Sequence, residues 1–209
     1  MPELGLFPLP LVLMPTERLP LHIFEPRYKE LISECLDSNG EFGLVLATGD
    51  GAVHDVGTRA QIDEVLDVLD DGAMNVVVRG TDRFRLLELT TGRSFTTCLV
   101  EDVEDDAESI DPSDTQQALD LFRELAEETE SDVEIPDADT DGLDFALAAR
   151  VDFGVEAKQE LLATTSPRAR MRRLVELLQL AVESMRVQKT LRERAGKNGK
   201  VSPPGPGEP

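Results

Sequence analysis

The spacing of the apolar residues changes near residue 106, and this change limits what the chain can fold into. Before it, short apolar runs are separated by turn residues that tolerate positive φ, such as Gly-Asp-Gly, which is typical of β-strands. The runs are "EFGLVLAT", "GTRAQIDEVLDVL", "MNVVVRGT", "RFRLLELTT" and "SFTTCLVEDVED". After it, apolar residues recur at the spacing of helices. The pattern predicts an α+β fold, with a β-rich N-terminal lobe over 1–106 and a helical C-terminal lobe over 107–195.

The first forty residues combine an extended segment with one helix. "LGLFPLPLVLMP" is too rich in proline for a helix and too apolar for a surface loop, so it predicts a strand covered on both faces. "EPRYKELISECLDSNG" predicts a helix that begins at Pro26 and ends at the Asn-Gly pair. Four side chains that could form an active site, or a corner of the fold with paired charges, crowd around that proline: His22, Glu25, Arg27 and Tyr28.

Three start signals divide the helical half. Asp111 before Pro112 predicts the cap of a first helix, Asp141 predicts the cap of a second, and Ser166 before a proline begins the longest. The "EAKQELLA" run adds a short helix before the last one. The apolar stripe of the longest helix is Met171, Leu174, Val175, Leu178, Val182 and Met185. The Gly/Pro-rich residues 196–209 have little to bury and are predicted to be disordered.

The charge of the chain is strongly negative and unevenly spread. The formal net charge of -21 argues against a nucleic-acid partner, because phosphate binding needs concentrated Lys and Arg. Residues 101–144 hold 19 acidic residues against Arg123 alone, whereas the start of the longest helix is basic. Its four arginines could dock an acidic partner or pair with the acidic segment of the same chain: Arg168, Arg170, Arg172 and Arg173.

No residue pattern in the sequence indicates catalysis or a cofactor. Asp137, Asp139 and Asp141 match the first half of a calcium loop, but Ala148 stands where the bidentate Glu is needed, which favours a plain acidic loop. His54 is interpreted as a turn residue, and Cys35 and Cys98 as small core residues. No apolar run is long enough to span a membrane and no leader is present, so the chain is predicted to be cytoplasmic.

One resemblance covers roughly residues 4–100. "LFPLPLVLMPTERLPLHIFEPRYKELISECL", then "FGLVL" and "VGTRAQIDEVLDVLDDGAMNVVVRGTDRFRL", resemble the N-terminal, substrate-binding domain of the ATP-dependent Lon protease. "AKQELLATTSPRARMRRLVELL" is similar to the helix pair of that family. The resemblance implies a twisted pseudo-barrel of the PUA-like kind carrying one helix, followed by a helical lobe that ends in a long helix. Neither a Walker loop nor the Gly-Pro-Ser-Ala-Gly peptidase signature occurs, so a non-enzymatic, stand-alone domain is expected.

The resemblance favours the architectural interpretation of the corner. It implies that Ile23 and Phe24 lie in the core, that Tyr28 packs behind them, and that Glu25 and Arg27 satisfy turn backbone groups or each other.

Two kinds of partner then stay open. The first is unfolded or exposed apolar polypeptide in protein quality control, for which Leu9, Leu11 and Met14 are the candidate contact residues. The second is a protease or another folded regulatory partner, docked through the helical lobe by Arg168, Arg170, Arg172 and Arg173.

Overall fold

The computed structural model describes residues 3–49, 51–129 and 131–198. Its elements, in chain order, are β1 (Glu3–Leu9), β2 (Arg18–Ile23), α1 (Pro26–Ser38), β3 (Glu41–Leu46), β4 (Val56–Val68), β5 (Met74–Thr90), β6 (Thr97–Asp102), α2 (Pro112–Glu128), α3 (Leu143–Ala149), α4 (Val155–Ala163) and α5 (Pro167–Asn198). The predicted α+β architecture is confirmed. Because α5 runs to Asn198, residues 196–198 are helical where disorder was predicted, and residues 199–209 lie outside the described part.

Five of the strands close into a barrel. β3, β4, β5 and β6 pair in antiparallel fashion along the ring β3-β4-β5-β6, and β1 closes it by pairing in parallel with β3 and antiparallel with β6. The predicted pseudo-barrel is therefore confirmed. A closed barrel leaves no unpaired strand edge within the ring, so its backbone groups are satisfied internally.

β5 is one strand of 17 residues, although the sequence reads as two shorter runs. The break falls at Gly80, where a loop crosses the strand: Thr16 N–H donates to the Gly80 carbonyl at 2.9 Å, and Gly80 N–H donates to the Glu17 carbonyl at 2.9 Å. A Cβ at Gly80 would lie 2.2 Å from the Met14 carbonyl oxygen. Glycine thus allows close backbone approach while the strand continues.

The first half of β5 leaves the barrel as a three-stranded ribbon. Residues 74–79 of β5 pair with β2 on one side and with residues 61–68 of β4 on the other. We call residues 18–24, 62–69 and 73–79 the ribbon. The β4–β5 ladder is interrupted at three places along β4, and such bulges increase the local twist of a strand.

Three apolar clusters hold the molecule together. The barrel interior is filled around Leu6 and Phe84, and a second cluster packs α1 against the sheet, with the Tyr28 ring stacked 4.0 Å from that of Phe7. The third cluster belongs mainly to the helical lobe but takes four residues from the β-rich lobe: Val12, Met14, Leu46 and Val56. The two lobes therefore share one continuous core.

The corner between β2 and α1 corrects one prediction. Pro26 begins α1, and the exposed Glu25 and Arg27 pair at 2.7 Å, as predicted. Phe24, however, is 61% exposed, whereas Ile23 is buried, so the core assignment of Phe24 is wrong. The physical reason is the period of two along a strand, which turns neighbouring side chains to opposite faces.

The helix starts follow two of the three predicted signals. The Asp111 carboxylate accepts the Ser113 N–H at 2.9 Å and caps α2, and the Ser166 hydroxyl accepts the Ala169 N–H at 3.1 Å in the first turn of α5. Asp141 does not cap α3, because Gly142 with φ of 65° occupies that position. α2 and α5 lie side by side and run in the same direction, and ion pairs join them near both ends of α2.

A buried charge cluster joins the two lobes. The Arg170 guanidinium, 2% exposed, donates to Asp144 at 2.5 Å and to both carboxylate oxygens of Asp105 at 2.8 and 2.6 Å. Arg83 of β5 pairs with the same Asp105. The Phe145 ring has the Arg170 guanidinium 4.0 Å from its centroid and that of Arg83 at 5.2 Å. We call these five residues the lobe junction.

Backbone groups complete the lobe junction. Arg83 donates to the carbonyls of Leu162 and Thr164, both at 2.9 Å, and Arg170 donates to the Thr164 carbonyl at 2.7 Å. Burial by itself would raise the pKa of Asp105, but the hydrogen bonds and charges of the two arginines outweigh it and lower that pKa below its ordinary value. The carboxylate therefore stays ionised between two cations.

Arg170→Ala is expected to lower the free energy of unfolding by about 3–5 kcal/mol, because it leaves the buried Asp144 carboxylate without its cation and removes one of the two arginines from Asp105. Arg172→Ala is the matched control two residues away. Its side chain is exposed and pairs with Asp114 at 3.2 Å, so its loss should cost no more than about 1 kcal/mol. Urea unfolding of both variants measures the difference, and equal losses would contradict a special role for the lobe junction.

Phe24→Ala is expected to change the free energy of unfolding by less than about 0.5 kcal/mol, because the ring is largely in solvent. Phe42→Ala, the control, removes a ring that is fully buried and should cost about 3–5 kcal/mol. Thermal melting of the two variants distinguishes them. If Phe24→Ala melted at as low a temperature as Phe42→Ala, the result would indicate that the Phe24 ring is buried.

Candidate functional site

The ribbon has an unpaired strand edge. β3 pairs with β4 only from Thr58 to Gln61, so in the described residues no strand pairs with this edge of β4 from Ile62 to Val68. Residues 63–69 are exposed one after another. An exposed edge of this kind presents backbone N–H and C=O groups that another chain can bind.

Apolar side chains gather at the tip of the ribbon. Ile23, Met74 and Val68 lie abreast on the three strands, so the residues next to them are close neighbours. Five large apolar side chains in this region are exposed, and we call them the ribbon tip: Phe24, Val65, Leu66, Val68 and Leu69. Exposed apolar side chains that cluster in this way are typical of an interaction site.

The apolar side chains of the ribbon tip reach both faces of the sheet. Val65 and Val68 pair with buried residues of β5, which places them on the α1 side. Leu66 instead lines a shallow groove of about 330 Å³ that includes His22 and Asn75. The His22 Nδ1 lies 2.7 Å from the Asn75 Oδ1, and the His22 ring stacks on Phe24 with centroids 5.8 Å apart.

The opposite edge of the ribbon, along β2, is less suited to pairing. β2 pairs only with β5 among the described strands, but Pro20 at its centre has no N–H to offer. Proline on an edge strand is a common protection against further pairing. The β4 edge has no proline, so of the two edges it is the one that can accept an added strand over several residues.

The predicted polypeptide contacts lie elsewhere. Met14 is fully buried in the core that the lobes share, so the expectation that it contacts a partner is wrong for the folded chain. Leu9 and Leu11 are half-buried against the α1 cluster. Leu11 also lines a groove of about 360 Å³ between the lobes, opposite Val151, and its role as a contact stays a prediction.

The predicted docking arginines have partners within the chain. Arg170 is buried in the lobe junction and cannot reach a partner, so that part of the docking prediction is wrong. Arg172 pairs with Asp114 of the acidic segment at 3.2 Å, and Arg168 donates to the Ser109 carbonyl at 3.2 Å. Arg173 pairs with two acidic residues of the helical lobe, Glu160 at 3.1 Å and Glu176 at 3.0 Å.

The thiols lie where the sequence predicts them. Cys35 and Cys98 are both buried, and desolvation is the main cause that raises the pKa of each to about 11. A thiol with so high a pKa is almost fully protonated at neutral pH and is a poor nucleophile. Across residues 3–49, 51–129 and 131–198, no three or more His, Cys, Asp or Glu side chains converge to hold a metal ion.

No described helix is both long and apolar enough to cross a membrane.

The residues of the ribbon tip were missed from the sequence, although a signal was available. In "LPLHIF" the alternation places Leu19, Leu21 and Ile23 on one face and Phe24 on the other. In "IDEVLDVL" apolar residues stand next to each other twice, as Val-Leu. Neighbouring side chains of a strand point to opposite faces, so one residue of each pair is expected to be exposed if only one face is covered.

Comparison with known proteins agrees with this architecture. The family model for the ATP-dependent protease La (LON) substrate-binding domain matches residues 3–180. The Lon protease of Anaeromyxobacter dehalogenans and Lon protease 2 of Myxococcus xanthus are each 28% identical in an alignment of 183 positions that covers 80% of this chain. The chain spans 22% of the length of these relatives, and the family model that matches is that of the substrate-binding domain.

Two solved structures have the same fold. The Lon N-terminal domain protein from Xanthomonas campestris is 27% identical with a TM-score of 0.69, covering 84% of this chain and 98% of its own. The N-terminal domain of the Mycobacterium avium complex Lon protease, at 17% identity and a TM-score of 0.68, covers 85% of this chain and 98% of its own. On the family match, the chain belongs to the ATP-dependent protease La (LON) substrate-binding domain family.

Proposed function

We propose that this chain recognises unfolded or exposed apolar polypeptide, and that it does so by accepting an added strand at the β4 edge of the ribbon. The observation that carries the proposal is the unpaired stretch from Ile62 to Val68, which is exposed and bears the apolar side chains of the ribbon tip. Strand addition uses main-chain hydrogen bonds for affinity and alternate side chains for specificity. It therefore suits a site that must accept many sequences.

The geometry of the edge would let an added strand contact apolar side chains of the ribbon on both of its faces. An added chain would place alternate side chains beside Val65 and Val68 on one face and beside Leu66 on the other. Because side chains alternate along a strand, each second residue of the bound segment meets an apolar neighbour. A folded protein rarely offers a free extended segment of this kind, whereas an unfolded one offers many.

The family supports the same proposal. The matched family model is that of a substrate-binding domain, and the similar full-length proteins are named Lon proteases. We infer from this a non-catalytic role in protein quality control or proteolysis, in the cytoplasm. The high pKa of both thiols makes each of them a poor nucleophile at neutral pH.

A second candidate is docking of a folded regulatory partner on the helical lobe. A groove of about 550 Å³ lies between α2, α5 and the segment after α2, and its walls are mainly apolar. Phe122, Val133 and Met185 are among the residues that line it. Arg168, Arg172 and Arg173 lie on the same lobe and remain the residues proposed to bind such a partner.

Fluorescence anisotropy tests the first proposal, with a labelled, permanently unfolded polypeptide as the probe and its natively folded form as the control. Leu66→Asp is expected to weaken binding of the unfolded probe by about tenfold or more, or about 1.4 kcal/mol, because it places a charge in the apolar contact. Leu180→Asp on α5 is the matched control, since both leucines are more than half exposed, at 55% and 60%.

Two results would contradict the first proposal. One is equal loss of affinity in Leu66→Asp and Leu180→Asp, which would indicate a general effect of charge. The other is equal binding of the folded and unfolded probes. For the second candidate, Arg172→Glu should abolish capture of the folded partner and lower the melting temperature only slightly, because the exposed ion pair with Asp114 that it removes is worth no more than about 1 kcal/mol. Capture retained in this variant would show that the arginine serves only the pairing within the chain.

A further inference from the structure

The β4 edge carries carboxylates among its apolar side chains. Asp63 is neutralised by Arg18 at 2.9 Å and by Arg79 at 3.3 Å. Asp71 accepts the Ala73 N–H at 2.9 Å and so serves the turn between β4 and β5. These acidic residues have a structural use within the ribbon itself.

Asp67 and Asp70 have no such use. Both are exposed, and neither forms an ion pair or side-chain hydrogen bond with any residue that the structure describes. They stand on either side of Val68 and Leu69 of the ribbon tip. The exposed end of the β4 edge therefore presents an apolar pair between two carboxylates that form no ion pair with the described residues, while the Lys29 ammonium lies nearby on the Asp71 carbonyl.

A second copy of this chain is a poor occupant for the edge. Pairing two β4 edges would bring the carboxylates of one copy close to those of the other, and like charges across a strand pair are destabilising. Charged residues on an exposed edge are a common way to prevent self-association. The same carboxylates attract a strand that carries positive charges. They therefore disfavour a second copy of this chain and favour a cationic segment.

We propose that Asp67 and Asp70 make the β4 edge selective for extended apolar segments that carry Lys or Arg. This inference rests on the proposed function and names the class of segment that the edge prefers. A cationic side chain on the added strand would lie across from Asp67 or beyond the end of the ladder near Asp70. The apolar residues between them would contact Val68 and Leu69.

Two unstructured, labelled peptides test this selectivity. They share the same apolar residues in the same order and differ only in having Lys or Glu at the intervening positions. The chain is expected to bind the Lys peptide about threefold to thirtyfold more tightly than the Glu peptide at low salt, the range given by one or two cross-strand charge pairs. Salt should reduce the ratio, because the charges are exposed.

The variant that tests the residues is the double substitution Asp67→Asn with Asp70→Asn, which should bring the affinity ratio close to one. Asp137→Asn with Asp139→Asn is the matched control. It changes the net charge by the same amount, on an exposed loop of the helical lobe, and should leave the ratio unchanged.

The outcomes separate this inference from the proposed function. If Leu66→Asp abolishes binding of both peptides but the ratio is the same in wild type and in the Asp67/Asp70 double variant, the selectivity is overturned and the binding edge stands. Equal reduction of the ratio by the control pair also overturns it, because net charge alone would then account for the preference. If neither peptide binds, or Leu66→Asp has no effect on either, the proposed function fails and this inference fails with it.

Discussion

The relative placement of the two lobes depends on two buried guanidinium groups. Arg83 comes from β5 and Arg170 from α5, and they meet at one carboxylate, that of Asp105 in the connection between the lobes. Charges buried in this way are costly unless each is paired and hydrogen-bonded. Here carbonyls of residues 162 and 164, Asp144 and the Phe145 ring provide those contacts, so the cluster is satisfied in only one arrangement of the lobes.

The lobe junction also explains a motif that the family resemblance brought out. In "RGTDRF" the glycine admits the crossing loop, the second arginine is Arg83 of the lobe junction, and the phenylalanine, Phe84, fills the barrel. Six residues of one strand therefore provide the loop crossing, one arginine of the lobe junction and one ring of the barrel interior. The N-terminal half of the same strand lies in the ribbon, so β5 connects the candidate edge of β4 to the barrel.

The sequence predicts the architecture well and the candidate site poorly, and the reason is physical. Alternation, turn residues and helix starts act locally, so the strands, the helices and the cap at Asp111 could be predicted from short windows, whereas the barrel was implied by the family resemblance. Exposure at an edge depends on which strands meet. The family resemblance implied a core position for Phe24 as well as for its neighbour Ile23, yet a shift of one residue along a strand reverses the face. Met14 and Arg170 were taken for surface residues because nothing local marks the core shared by the lobes.

The pairing of β1 has a consequence for the order in which the chain can fold. β1 lies beside β3, which follows soon in the sequence, but its other edge is completed only by β6, where Leu4 pairs with Cys98. Contacts so distant in sequence form late, because the loop between them must close first. During synthesis from the N-terminus the barrel therefore stays open until residue 102 has left the ribosome. For that interval the nascent domain exposes the unpaired edge of an apolar strand, β1.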